Sequence, residues 1–238
     1  MKKILLISII LNFNISFSQN LKFYGFLPIL NQTGKINKKT NYNLFISTTL
    51  DSFNQNINGI EYPATDLQFY LQPSIIYIFS PKINYSLSYT YQRNNPFNEN
   101  YFNEHRIWEQ IAFLYNIANS RLSNRLRLEE RFIENKINNS YPFSTRLRYQ
   151  IGFNTPFKNK DFYLNTYNEF YFSLTGAKNA TYSENWAYIG CGYKIGKTSQ
   201  LEVGYLNQIA VRNKQKDLRF LNLLQIMWIT NFNFKKNN

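Results

Sequence analysis

The chain has 238 residues, a formal net charge of +13, and 18% aromatic residues, 21 Phe and 19 Tyr among them. Its mean hydropathy is −0.43, which excludes a helical membrane protein, because each helical span needs about 20 consecutive apolar residues. Many aromatic residues in a polar average suit instead a membrane β-barrel, where half of every strand is polar.

Met1 to Ser18 carries Lys2 and Lys3, then an apolar stretch from Ile4 to Ile15, then Ser16-Phe17-Ser18. This is the pattern of a secretory signal peptide, residues 1–18, cleaved before Gln19. Its removal takes two lysines from the basic excess. In an exported chain that excess points to lipid phosphates, inward arginines and solvated loops, and no nucleic acid is expected as a partner. No Cys follows the cleavage point, so a lipid anchor is not expected, and the lone Cys191 can form no internal disulfide. Residues 19–39 form a lead-in of unassigned structure, for which a periplasmic segment, a plug strand and an extra edge strand all stay open. Pro28 interrupts its apolar run and argues against a central strand.

From residue 40 to 238 the pattern is that of an all-β chain, an antiparallel transmembrane β-barrel of about ten strands. Ten segments of strand length follow one another, at about 40–50, 67–79, 82–93, 104–117, 121–134, 142–155, 161–173, 185–196, 199–212 and 217–234. Their connections alternate between short and long, as periplasmic turns and extracellular loops do, and an even count would return both ends to the periplasm. Faces follow from the period of two. Ile83, Tyr85, Leu87, Tyr89 and Tyr91 would face lipid, while Asn84, Ser86, Ser88, Thr90 and Gln92 would face the lumen.

The clearest alternation runs from Arg121 to Glu134. Arg125, Arg127, Glu129 and Arg131 share one face there, with Leu122, Leu126, Leu128 and Phe132 on the other. Together with Gln110, Arg146, Arg148, Glu169, Lys194 and Glu202, the first four form a predicted lumen charge network. Turns centred near Asn138 and Asn159 would put Glu129 opposite Arg148, Arg131 opposite Arg146 and Arg148 opposite Glu169. Gln110 would continue this row beyond Glu129. A turn at Lys197 would bring Lys194 and Glu202 together.

The blocks His105 to Gln110 (HRIWEQ), Arg125 to Phe132 (RLRLEERF), Arg146 to Gln150 (RLRYQ), Asn168 to Phe172 (NEFYF), Tyr188 to Lys194 (YIGCGYK) and Leu201 to Gln208 (LEVGYLNQ) occur in that order. In them the chain resembles the domain of unknown function 2490 family of outer-membrane proteins, found mainly in Bacteroidetes. The resemblance covers about 105–210 and departs from the family at Asn185-Trp186, where an Asn-Arg pair is common. It implies a barrel and an outer-membrane location, and supplies no reaction.

His105 is the one candidate for catalysis, by analogy with outer-membrane lipid hydrolases in which a His activates a Ser at the membrane rim. Parity puts it outward with Ile107 and Ile111, and Ile107 stands where a Ser partner would be needed. Gly190-Cys191-Gly192 lacks the spacing and the following helix of a dinucleotide loop. Gly190, Gly192 and Gly204 are instead expected to make room for inward Tyr167 and Tyr188. The expectation is an outer-membrane protein without cofactor or enzymatic activity: a small or plugged channel, or a structural envelope protein. Outer-membrane lipid and the barrel-insertion machinery are its expected partners, and a small solute is possible. The alternatives are a lipid hydrolase using His105 and a surface-binding protein acting through its long loops.

Overall fold

The computed structural model describes residues 21–57, 60–62, 64–159, 161–176, 182–211 and 218–232. The expected signal peptide, residues 1–18, lies outside the described residues. The strands are β1 (Leu21–Lys35), β2 (Thr40–Asp51), β3 (Gln55–Ile57), β4 (Ile60–Tyr62), β5 (Thr65–Ser80), β6 (Ile83–Asn94), β7 (Phe102–Ile117), β8 (Ser120–Ile133), β9 (Phe143–Pro156), β10 (Phe162–Thr175), β11 (Tyr182–Ile195), β12 (Ser199–Val211) and β13 (Leu218–Asn231). All but β3 and β4 close into one barrel of eleven strands, in the order β1-β13-β12-β11-β10-β9-β8-β7-β6-β5-β2. The β3–β4 pair is a small hairpin within the longest connection.

The ten strands expected from residue 40 onward are present, each with its ends within about three residues. The lead-in is an eleventh, so the barrel starts at Leu21 and not at residue 40. Pro28 is accommodated because the β1–β2 ladder skips Leu27 and Pro28, running from Phe26↔Leu50 to Ile29↔Ser47. Its missing N–H therefore costs no bond to β2. An odd number of strands cannot close with antiparallel neighbours throughout, and β1 pairs with β13 in parallel. The expectation that both ends of the strand array share one side is overturned. Connections of two to five residues lie at one mouth and those of six to thirteen at the other. β1 begins at the long-connection mouth, and β13 ends at the short-turn mouth.

Alternation sets the two faces. Outward side chains include Leu87, Ile75, Phe79, Ile189 and Trp228, all more than half exposed. Two carboxylates, Glu109 and Glu130, and a set of asparagines interrupt this apolar wall. The interior has three sectors. Leu21, Phe23, Leu27, Ile29, Tyr188, Leu206, Leu221 and Leu223 form an apolar cluster on β1 and β11–β13, against which Phe45, Leu67 and Trp186 pack. Burying such a side chain stabilises the fold by about 1.5–3 kcal/mol. β2, β5 and β6 contribute small or amide side chains such as Ser47, Ser74, Ser88, Thr90 and Gln92, all buried. β7–β10 supply the charges.

Three glycines make the space expected of them. A Cβ on Gly190 or Gly204 would meet the Tyr188 hydroxyl, and one on Gly192 would meet the ring of Tyr163. Tyr188 therefore lies across Gly190 and Gly204, as expected, while Tyr163 takes the place over Gly192. Tyr167 stacks on Tyr188 with ring centroids 5.0 Å apart.

Candidate functional site

The charged sector arises because β7, β8, β9 and β10 each turn an alternating polar set inward, at even positions on β7 and β9 and odd positions on β8 and β10. Glu129 is its centre and has no solvent exposure. It accepts from Arg146 Nε at 2.8 Å and Arg148 Nη1 at 2.7 Å. Arg148 holds Glu169 with both arms of its fork, Nε at 2.9 Å and Nη2 at 3.0 Å, and so joins two carboxylates. Only a planar guanidinium offers donors in that arrangement. Arg125 Nη2 reaches the same Glu169 at 2.6 Å, and the Tyr171 hydroxyl and Gln150 amide complete its shell.

Toward the long-connection mouth, Glu104 accepts from Arg106 Nε at 2.5 Å and Arg131 Nε at 2.6 Å. Arg146 extends to Glu184 at 3.1 Å. Arg127 is held differently. Its Nε and Nη2 donate to Gln110 Oε1 at 3.0 and 2.9 Å, its guanidinium lies 3.7 Å from the Trp108 ring centroid, and Glu129 is 3.8 Å away. Six arginines thus share four glutamates, with amide and aromatic faces carrying the excess. Glu202 lies apart, accepting from Tyr188 Oη at 2.8 Å and Asn165 Nδ2 at 3.1 Å.

The predicted members lie on the inward face, except that Lys194 is exposed at the end of β11, and the predicted register is not observed. Glu129 stands opposite Arg146, Arg131 opposite Ser144, and Arg148 opposite Arg127 and Tyr171, each pairing two residues away from expectation. The Asn135↔Ser140 bridge closes the β8–β9 connection around Ile137-Asn138 and sets that shift. Arg148 still bonds both glutamates because diagonal neighbours about 7–8 Å apart lie within reach of a long side chain. Gln110 faces Arg127, and Trp108 takes the place opposite Glu129. Glu202 faces Gly192, and Lys194 stands opposite Gln200 near the short-turn mouth.

Glu104, Arg106, Trp108, Tyr171 and Glu184 are members that sequence reasoning missed. Glu104, Arg106 and Trp108 share the parity of Gln110 and were readable from it. Tyr171 shares the parity of Glu169, which places it inward, but its hydroxyl contact to Glu169 was not readable from the sequence.

His105 is outward, as expected. Its Nδ1 lies 2.5 Å from the Tyr89 hydroxyl, and its ring sits 5.5 Å from those of Tyr91 and Tyr141. Its polar contact is a phenol within an aromatic cluster at the rim. His105→Ala is therefore expected to cost no more than about 1 kcal/mol, one exposed hydrogen bond and some ring contact, measured as a shift in the urea unfolding midpoint. A loss of several kcal/mol would show that the rim cluster holds the barrel together.

A closed β-barrel that carries buried Arg/Glu ion pairs in its interior is the class of protein defined by this geometry. The chain belongs to the family described as protein of unknown function (DUF2490), whose model matches residues 25–219 and so reaches from β1 to β13. No curated protein matches it. Among solved structures it is similar to an anion-selective porin from Comamonas acidovorans, with 12% identity and a TM-score of 0.36 over 77% of this chain and 51% of the porin. The chain thus spans about half the length of that porin.

Proposed function

We propose that this protein is an outer-membrane barrel sealed by its own side chains, a structural envelope protein and not a conduit or an enzyme. The observation that carries this reading is a belt of buried side chains across the middle of the interior. Glu129, Tyr171 and Leu206, on three different strands, have no solvent exposure, and Glu202, Leu223 and Gln225 have 1–2%. An open aqueous lumen would leave inward groups wet. The membrane location is supported by the closed ladder, which leaves no free strand edge, and by the apolar, aromatic outer wall. Lipid is the partner that wall fits, and assembly would run through barrel-insertion machinery.

The protein is expected to fractionate with the outer membrane and to give little or no steady current when purified into planar bilayers. Regular, anion-selective conductance steps would sink the sealed reading. Recovery as a soluble periplasmic protein would sink the membrane reading as well.

A further inference from the structure

The outer wall is not uniform. Asn124, Ile151, Asn168, Ala187, Asn207, Asn222 and Tyr24 are successive cross-strand partners on β8, β9, β10, β11, β12, β13 and β1, one continuous row containing four asparagines. On the lipid-facing band of a membrane barrel such positions are ordinarily aliphatic or aromatic. Part of the row is satisfied internally. Asn185 Nδ2 donates to Asn168 Oδ1, and Asn222 Oδ1 accepts from Asn207 Nδ2 at 3.0 Å and from the Tyr205 hydroxyl. Among the described residues, Asn168 Nδ2 and Asn207 Oδ1 have no partner. A spare donor therefore lies on one side of Ala187 and a spare acceptor on the other.

The same place is hollow. A depression of about 550 Å³ opens outward, with Thr166 and Ala187 among its lining residues, Phe153 on one flank, and Ile189 and Tyr205 on the other. Tyr205 is 48% exposed and Ile189 54%.

We infer that the β9–β13 wall is an interface between two copies of this chain, an inference that rests on the membrane reading above. Acyl chains would fill the hollow but leave the amide donor and carbonyl acceptor unbonded in hydrocarbon, which is costly. A second copy answers both needs. A two-fold axis parallel to the barrel axis and passing near Ala187 turns β10 of one copy toward β12 of the other. The donor side then meets the acceptor side, and each exposed Tyr205 faces the other copy's hollow. Five strands at about 4.8 Å spacing over a band about 25 Å tall offer about 500 Å² per copy. The total of at most about 1,000 Å² stands at the lower bound for a specific interface.

The test uses the full chain inserted into phosphatidylcholine vesicles at low protein density. Insertion is scored separately, by protection from protease and by altered gel mobility before heating. Ala187→Cys in a Cys191→Ser background is expected to form a disulfide-linked dimer on oxidation, whereas Ile107→Cys in the same background, on the far wall, is not. Adding Asn168→Leu and Asn207→Leu is expected to weaken association about thirtyfold, the worth of the two hydrogen bonds that the two-fold axis makes, while insertion persists. Inserted protein that stays monomeric, cross-links equally from both positions, or dimerises as well or better with the two leucines overturns the interface and returns the hollow to lipid. Failure to insert overturns the membrane reading and the interface together.

Discussion

Glu129→Ala is expected to destabilise the barrel by about 3–5 kcal/mol, the cost of leaving buried charge uncompensated. This carboxylate is fully buried and bonded to Arg146 and Arg148, with Arg127 at 3.8 Å, so its loss sets three guanidiniums against one another in a space from which water is excluded. Arg148→Ala should cost less, although Arg148 bridges two fully buried carboxylates, Glu129 and Glu169. Glu129 would keep Arg146, and Glu169 would keep Arg125. The glutamate is thus the irreplaceable member. Urea unfolding of each variant in lipid vesicles, followed by tryptophan fluorescence, measures both losses. Equal or reversed effects would show that the network is centred elsewhere, and an unchanged midpoint for Glu129→Ala would show that the lumen is wet enough to screen it.

Gly25→Ala is expected to cost about 3 kcal/mol, in the range of severe overpacking. A Cβ there would stand 1.7 Å from the Leu50 carbonyl oxygen and 2.8 Å from its carbon, both backbone atoms of β2. Backbone cannot swing aside as a side chain does, so β1 and β2 must separate at the seam that holds the eleventh strand. Gly196→Ala is the comparison. Its φ is +72°, but nothing lies within 4 Å of the added Cβ, so it carries only the left-handed backbone penalty of about 1–2 kcal/mol. The same unfolding assay ranks them. A Gly25→Ala loss no larger than that of Gly196→Ala would mean that β1 does not pair with β2 at this point.

The sequence by itself determined what depends on a period of two. Arg125, Arg127, Glu129 and Arg131 alternate with Leu126, Leu128 and Glu130 over one strand, and that mostly apolar partner set places them on the interior face whatever the neighbouring strands are. The ten strands, their faces and the glycine clearings beneath Tyr188 were legible in the same way, because each is a local consequence of alternating side chains. Only the tertiary structure decided which partner stands beside which. Residues on one face of a strand recur every two positions, so an error of one residue in a turn centre moves every partner by two while leaving all faces correct. That is why Glu129 meets Arg146 across the ladder and Arg148 along the diagonal. The eleventh strand was hidden for a different reason. Pro28 reads as a breaker in isolation, and its tolerance depends on the gap in the ladder to β2 and on the parallel seam with β13, a strand nearly two hundred residues away. The asparagine row is of the same kind. Asn124 and Asn222 become members of one surface only after six strands have taken their register.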